Sequence, residues 1–227
     1  MATSDIFGAS VFHLGPLVIT QTVVTTWGIL LGLSLVSWFS TRRLSLDPGP
    51  WQTVVEGAVS AIEDAVSAVL PDHSRPVLPF IGTLWIFIVT ANLVGLIPGL
   101  QAPTGDLSLT AALAVLVFLS AHWYGVRTQG LKNYLRHYLT PNPILLPFHL
   151  LSEISRTIAL AVRLFGNMMS LQLAALFVLL VAGFLVPVPL LFLHIVEALV
   201  QAYIFGMLAL IYVAGGIQYQ QIKRRGE

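Results

Sequence analysis

The sequence contains no cysteine among its 227 residues, so it carries neither a disulfide framework nor a cysteine-ligated metal site. It also has few charges: lysine, arginine, aspartate and glutamate make up 9% of the chain, against about a quarter in a typical soluble domain. A formal net charge of +1 excludes the basic field of a nucleic-acid-binding protein. Because 56% of the residues are hydrophobic, the composition indicates an integral membrane protein rather than a soluble enzyme.

Long stretches without a charged residue divide the chain into membrane-crossing segments. About 20 apolar residues suffice for a helix to cross the hydrocarbon core of a bilayer. We therefore predict an all-α integral membrane fold, with five membrane helices at about 19–40, 77–98, 108–126, 144–184 and 188–220. At ~1.5 Å per residue the last two are longer than the bilayer core, so we expect a long tilted helical hairpin at the C-terminus.

Residues 50–70 have a different pattern. Val55, Ile62 and Val66 recur at helical spacing, whereas Glu56 and Glu63 lie elsewhere on the helical wheel. This pattern predicts an amphipathic helix on the inner membrane surface, or alternatively a soluble helix packed on a partner. The resulting domains are an N-terminal segment with the first membrane helix (1–49), the surface helix and a linker (50–76), two membrane helices and a cytoplasmic loop (77–140), and the long hairpin (141–227).

The basic residues that flank the spans all fall at one side of the membrane. Arg42 and Arg43 follow the first span, and Arg127 and Lys132 follow the third. The opposite loops contain no lysine or arginine. The positive-inside rule then places the N-terminus outside and the C-terminus in the cytoplasm.

Arg163 lies about twenty residues from each end of the fourth span, near the middle of the membrane. An arginine at that depth costs at least a few kcal/mol, so we expect it to have a function or a partner. Asn167 and Ser170 share or flank its face with several small residues, which indicates either a surface along which a partner moves or a tight static helix contact. Arg156, two turns nearer the cytoplasm, is predicted to pair with Glu153 at i−3.

A second polar set lies on the fifth span. His194, Glu197 and Gln201 have the spacing i, i+3, i+7 and form one stripe. If the last two spans are antiparallel, Gln172 faces this stripe. A histidine and a carboxylate within a membrane suit a proton relay. The His-x-x-Glu spacing also occurs in bundle metal sites, but the sequence has no second copy, so we expect no metal.

At the inner end of the fourth span, His149 and Glu153 are four residues apart. They line a polar route from the cytoplasm, or they are ordinary interfacial residues. Asn92, in the second span, is expected to form an interhelical hydrogen bond. Together the polar residues predict two offset half-paths with Arg163 between them. An ion would pass only if a carboxylate on a partner carried it laterally from one half to the other.

The stretch from Ser152 to Met169, which contains Arg-Leu-Phe-Gly-Asn at 163–167, resembles the signature of subunit a of F-type ATP synthases. Leu78 to Ile88, with the following Ala-Asn-Leu-Val-Gly-Leu-Ile-Pro-Gly, resembles a second family motif. Gly-Leu-Lys-Asn-Tyr-Leu from Gly130 and Gln-Ala-Tyr-Ile-Phe from Gln201 are also similar. The resemblance covers about residues 50–220.

The resemblance implies a stator subunit with two half-channels, through which protons or Na⁺ reach and leave the carboxylates of a rotating c-subunit ring and drive ATP synthesis. It makes Arg163 the stator arginine, with Asn167 and Gln201 near it and His194 in the outer half-channel. Many family members carry glutamate or histidine at the position of Gln172, and glutamine cannot titrate. Which of Gln172, His194 and Glu197 carries the outer relay is left open.

The implied partners are the c-subunit ring, the b subunit of the peripheral stalk, other ATP synthase subunits and the lipid bilayer, with no nucleic acid. The implied location is a bacterial inner membrane. No cofactor is expected, and without a Gly-rich loop ending in Lys-Ser/Thr we expect a non-catalytic subunit with no nucleotide site. Two alternatives from other classes are a stand-alone secondary transporter or channel, for which internal repeats are expected, and a purely structural membrane anchor.

Overall fold

The computed structural model describes residues 10–14, 17–42, 49–97, 100, 102–130, 146–182 and 187–224. Within these ranges a short antiparallel hairpin precedes six α-helices and one 3-10 turn. The elements are β1 (Ser10–Leu14), β2 (Leu17–Thr20), α1 (Gln21–Thr41), α2 (Pro50–Val69), α3 (Ser74–Val94), the 3-10 turn (Pro103–Gly105), α4 (Leu107–Gln129), α5 (Leu146–Ala182) and α6 (Pro187–Arg224).

Five of these helices, α1 and α3 to α6, are long and apolar enough to cross a membrane. The prediction of an all-α membrane protein with five spans is therefore confirmed. Helix α3 ends at Val94, four residues before the predicted end at 98. A proline at position 98 explains the difference, because helices end at or before the residue that precedes a proline. The predicted loop residue Lys132 lies outside the described residues.

The N-terminal hairpin was not predicted. The first helix was expected from residue 19, but it begins at Gln21, and Leu17–Thr20 form a strand instead. Phe12 pairs with Ile19, and His13 pairs with Val18. β-Branched and aromatic side chains favour this extended pairing over an additional helical turn.

Helix α2 is amphipathic, as the spacing of its valines predicts. Val66 is fully buried, and Glu56, Glu63 and Asp64 are all exposed. The buried side packs on α3 and α6. The helix thus lies against the rest of the same chain with its acidic side outward.

Helix α6 is the centre of the packing and contacts α2, α3, α4 and α5. Its buried face carries Ala198, Ala202, Phe205, Ala209 and Val213, which are spaced three or four residues apart. Small residues at this spacing let neighbouring helices approach closely. The polar residues of the same helix are therefore held at fixed positions between its neighbours.

Two glycines of α6 mark its closest approaches. A Cβ at Gly206 would overlap the indole ring of Trp85 on α3. The indole nitrogen of Trp85 donates a hydrogen bond to the carbonyl oxygen of Tyr203, 3.3 Å away, and the two rings stack. A Cβ at Gly216 would lie 2.7 Å from the carbonyl oxygen of Ala121 on α4. These contacts require glycine and leave α6 little freedom to slide.

Candidate functional site

Arg163 projects from the middle of α5 and is exposed on the surface of the folded chain. Within the described residues its guanidinium group makes no hydrogen bond and no ion pair. The exposed side chains of Ile158, Val162 and Met169 lie within two turns of it along α5. A permanent cation among apolar side chains is costly in a membrane, so this face is suited to an anionic partner outside the chain.

Small residues accompany Arg163 on the same exposed face. Ala159, Ser170 and Ala174 are exposed, and a Cβ at Gly166 would meet no atom within 4 Å. This face therefore does not form a static contact with another helix in the described part of the chain. Of the two interpretations of the small residues, the structure favours an open surface.

Two contacts define how α5 and α6 lie against each other. The side-chain amide of Asn167 donates a hydrogen bond to Oε1 of Gln201, 2.5 Å away. The guanidinium carbon of Arg156 lies 5.9 Å from the ring centre of Tyr212. From the first contact to the second, the residue number falls by eleven on α5 and rises by eleven on α6. The two helices are therefore antiparallel, as predicted, and the Asn167–Gln201 bond lies one turn beyond Arg163.

The predicted stripe on α6 is buried at two of its three positions. His194 is 5% exposed and Gln201 is 2% exposed, whereas Glu197 is partly buried at the edge of the stripe. Nε2 of His194 and Nε2 of Gln201 have no hydrogen-bond partner among the described residues. The structure thus places both side chains inside the helix bundle with hydrogen-bonding capacity left over.

Gln172 lies at the level expected from the helix register. Gln172 lies five residues after Asn167 on α5. In the antiparallel pair, the matching level on α6 is five residues before Gln201, at Val196, which is next to Glu197. The amide of Gln172 packs against Gly105, where a Cβ would lie 2.8 Å from Oε1. Gln172 therefore contacts the 3-10 turn that precedes α4.

Asp106, which follows that turn, is a buried carboxylate that the sequence reasoning missed. It is 7% exposed, and its Oδ1 accepts hydrogen bonds from the backbone and side chain of Ser108, where it caps the N-terminus of α4. Its Oδ2 accepts a hydrogen bond from Thr22 of α1 at 2.7 Å. The Asp-Leu-Ser sequence at a helix start is the signal that could have identified this cap.

Near the N-terminal end of α5, Glu153 pairs with a residue that was not predicted. Its carboxylate lies 3.2 Å from Nε2 of His122 on α4. Nδ1 of the same imidazole lies 2.8 Å from the carbonyl oxygen of Phe118. The predicted Arg156–Glu153 pair is wrong, because α4 supplies the partner of Glu153 and Arg156 lies over Tyr212. His149 is exposed on the first turn of α5.

Asn92 makes the interhelical hydrogen bond that was predicted. Its side-chain nitrogen donates to the carbonyl oxygen of Ala198 on α6, 3.1 Å away. Among the residues that the structure describes, no three His, Cys, Asp or Glu side chains are arranged to hold a metal ion.

A sequence model of the family described as ATP synthase A chain matches residues 22–214. The chain belongs to that family. The matched range includes α1 to α5 and most of α6, with Arg163, Asn167 and Gln201. The resemblance to subunit a of F-type ATP synthases, predicted from the Arg-Leu-Phe-Gly-Asn stretch, is confirmed.

Members of the ATP synthase A chain family from several bacteria are similar over nearly the whole chain. ATP synthase subunit a 2 of Pelobacter propionicus is 63% identical over 215 residues, which cover 95% of this chain and 94% of that protein. ATP synthase subunit a of Legionella pneumophila strain Paris is 59% identical over 217 residues, covering 95% and 94%. ATP synthase subunit a 1 of Hahella chejuensis is 62% identical over 206 residues, covering 91% and 88%. Family membership and the apolar helices identify an integral membrane protein.

Proposed function

We propose that this chain is the ion-translocating subunit a of the membrane sector of an F-type ATP synthase, with Arg163 as the stator arginine. It assembles with other ATP synthase subunits. Its partners in this proposal are a c-subunit ring, which carries the ion on a carboxylate, and the b subunit of the peripheral stalk. The chain contributes the ion path, and nucleotide chemistry belongs to other subunits.

The position of Arg163 supports the proposal more than any other observation. Its charge is at mid-length of a membrane helix, exposed, and surrounded by small and apolar side chains. A carboxylate on a passing partner would satisfy this charge, and the arginine would favour the ionised form of that carboxylate. A protonated carboxyl group is neutral and is not attracted to Arg163 in this way. The carboxyl group must therefore release its ion before it passes the arginine.

Two polar zones lie on opposite sides of Arg163 along α5. The outer zone contains Gln172, and His194, Glu197 and Gln201 of α6 lie at similar levels. The inner zone contains Glu153 and His149, ten and fourteen residues before Arg163. A continuous path would leak ions, whereas two offset paths joined by a moving partner couple ion flow to movement. In this proposal the outer zone is the entry half-channel and the inner zone is the exit half-channel.

The orientation in the proposal follows from the basic residues. Arg42 and Arg127 lie at the ends of α1 and α4, which the positive-inside rule places in the cytoplasm. The N-terminus is then outside and the C-terminus is inside, in a bacterial inner membrane. The four-part division of the chain at residues 49, 76 and 140 belongs to the same proposal.

ATP-driven ion uptake by inverted membrane vesicles that hold the whole complex tests the proposal. We expect uptake with the unchanged chain and none with Arg163→Ala, because no other described cation occupies the exposed middle of α5. Arg156→Ala is the matched control on the same helix and should keep most of the uptake, because Arg156 already contacts Tyr212. Retained uptake with Arg163→Ala would contradict the central role of this residue.

The transported ion is tested in the same vesicles. In sodium-free buffer, proton uptake by the unchanged chain indicates proton coupling. In a second assay, labelled sodium is added. Its uptake, without proton uptake, indicates the Na⁺-translocating version of the same subunit. The amount of complex in each membrane is measured so that failed assembly is recognised separately.

A further inference from the structure

An open groove lies on the outer side of α4, beside its contact with α3. Among the described residues, these two helices pack on α6 far more than on each other. The hydroxyl group of Tyr124 on α4 donates a hydrogen bond to the carbonyl oxygen of Pro76 on α3, 3.1 Å away, and its ring centre lies 6.2 Å from that of Phe80. The groove beside this contact has a volume of ≈650 Å³. It is therefore an unfilled space on the membrane-facing side of the chain.

The walls of this groove are bulky and almost wholly apolar. Leu116, Leu119 and Trp123 line it and are all strongly exposed along α4, and Phe80 closes the side toward α3. Membrane helices pack against one another mainly through small residues, as on the exposed face of α5 around Arg163. An uneven wall of leucine and aromatic side chains instead suits a flexible acyl chain.

One end of the groove is basic. Leu116, Ser120, Trp123 and Arg127 are spaced four, three and four residues apart, so they share one face of α4. Arg127 is exposed in the last turn of this helix, one turn beyond Trp123. Arg75 is exposed next to Pro76, which accepts the bond from Tyr124. In the part of the chain that the structure describes, neither arginine forms an ion pair.

The charge around this end favours an anion. The sequence contains no acidic residue between Asp106 and Glu153, a stretch that includes all of α4. Glu153 itself lies 3.2 Å from Nε2 of His122, which faces another part of the groove. Basic pockets between membrane helices bind the headgroups of anionic lipids, and arginine binds phosphate through charge-assisted hydrogen bonds. The groove thus combines a positive end with an apolar body.

We propose that this groove is a binding site for one anionic phospholipid. Its phosphate binds Arg127 and Arg75, and one acyl chain lies along Leu116 and Leu119. Trp123 and Tyr124 lie between the two parts, as tryptophan and tyrosine do at the boundary of the hydrocarbon core. The site lies apart from Arg163 and does not depend on which ion the chain carries. A membrane helix of another subunit is the other possible occupant, and the experiments below distinguish it.

Photolabelling of the whole complex in phosphatidylcholine vesicles tests the proposal. Two probes carry the same diazirine group on one acyl chain, one with a phosphatidylglycerol and one with a phosphatidylcholine headgroup. Labelled peptides are identified by mass spectrometry. We expect the phosphatidylglycerol probe to label residues 116–126 about fivefold more than the phosphatidylcholine probe does. Equal labelling by the two probes would mean that bulk lipid fills the groove, and would overturn the proposal.

Arg127→Gln tests the basic end. We expect it to lower labelling by the phosphatidylglycerol probe about fivefold, because it removes one charge from the headgroup site. Lys132 and Arg136 keep the following loop basic, so the direction of insertion should not change. Arg42→Gln is the matched control, an exposed arginine at the end of α1, and should not change labelling at 116–126. An unchanged signal with Arg127→Gln would contradict the headgroup site.

Ser120→Phe tests the apolar body of the groove. Its ring would occupy the space beside Leu116 and Trp123, so we expect labelling at 116–126 to fall to the level of the phosphatidylcholine probe. Ala112→Phe, at an exposed position eight residues earlier on α4 and outside the groove, should not change it. Labelling is compared at equal amounts of assembled complex. If Ser120→Phe prevents assembly, Arg127→Gln decides the result.

A photoreactive side chain at position 123 identifies the occupant directly. p-Benzoylphenylalanine replaces Trp123, another large aromatic side chain that is 65% exposed, and the complex is irradiated in its own membrane. We expect an adduct of this chain with an anionic phospholipid. A cross-link to another subunit instead would overturn the proposal and assign the groove to a membrane helix.

Discussion

Arg163 and Arg156 lie seven residues apart on α5, and their guanidinium groups have different surroundings. Arg156 lies over the ring of Tyr212 on the neighbouring helix. Arg163 has no described partner and stands at mid-depth, where an unpaired cation is most costly. A cation–π contact of this kind explains why an arginine is tolerated at Arg156. Arg163 has no such contact among the described residues, which supports the proposed partner outside the chain.

Glu197→Gln and Gln172→Ala test which group carries the outer relay. Glu197 is the only carboxylate of the α6 stripe, and we expect its loss to slow ATP-driven ion uptake about tenfold, the effect of ~1.4 kcal/mol on a barrier. Gln172 cannot titrate and packs against Gly105, so its truncation should cost less. Leu199→Ala, at an exposed position near Glu197, is the control. The reverse order of effects would assign the relay to Gln172.

The sequence spacing predicted which residues of one helix share a face. It did not predict contacts that involve a second helix. The spacing of His194, Glu197 and Gln201 places them on one stripe, and the structure shows His194 and Gln201 buried along it. Arg156 and Glu153 have a spacing that allows an ion pair, but counting along one helix cannot reveal His122 on α4. Tertiary packing, which no single-helix pattern contains, decided that pair.

Helix α6 depends on glycine for its contact with α3. Trp85 occupies the space over Gly206 and donates a hydrogen bond to Tyr203, one turn earlier. The contact fixes the rotation of α6 about its own axis near residues 203–206. His194 and Gln201 lie on the same helix, before this contact in the sequence. A change at Gly206 therefore acts on the ion path through the position of the whole helix.

Gly206→Ala should destabilise the chain by about 1–3 kcal/mol, because the added methyl group overlaps the indole of Trp85. The measurement is the melting temperature of the purified complex. Gly32→Ala, on α1 with no atom within 4 Å of the added group, should not lower the melting temperature, because alanine favours a helix interior over glycine. The double variant with Trp85→Leu should recover part of the loss, and no recovery would mean that the indole is not the obstacle.

The His122–Glu153 pair joins the C-terminal part of α4 to the N-terminal part of α5. Each side chain is 29% exposed, so solvent weakens the interaction and we expect the pair to be worth on the order of 1 kcal/mol. His122→Leu and Glu153→Leu should each lower the melting temperature of the complex, and the double variant should lower it by less than the sum of the two losses, because either change already removes the interaction. His149→Leu, at an exposed site on α5, is the control. Additive losses would contradict a direct pair.

The helices were predictable because a long uncharged stretch that crosses a bilayer by itself does so as an α-helix. Every backbone group within the hydrocarbon must be satisfied by its own helix, so length and apolar composition suffice to locate spans. The strands Ser10–Leu14 and Leu17–Thr20 lie outside that constraint. Strands of four or five residues have weak sequence signals, and the β-branched residues at 18–20 fit the start of a helix in pattern alone.

At the scale of the whole chain, orientation is set by charge rather than by packing. In the proposed orientation, a reporter fused to the N-terminus should be outside the cytoplasm and one fused to the C-terminus should be inside, because the positive-inside rule assigns the spans' ends near Arg42, Arg43 and Arg127 to the cytoplasm. Reversing the charges of Arg42 and Arg43 should reduce correctly inserted chain several-fold. A cytoplasmic N-terminal reporter on the unchanged chain would overturn this orientation.

The lengths of α5 and α6 have a mechanical consequence. Their apolar stretches of 28 and 27 residues measure about 40 Å, against a bilayer core of ~30 Å, so helices of this length tilt in the membrane or extend beyond its core. A position on a tilted helix shifts sideways as it descends. In the proposed function, half-paths that follow such helices end at different places in the membrane plane. An ion that crosses from one to the other must then move sideways as well as through the membrane.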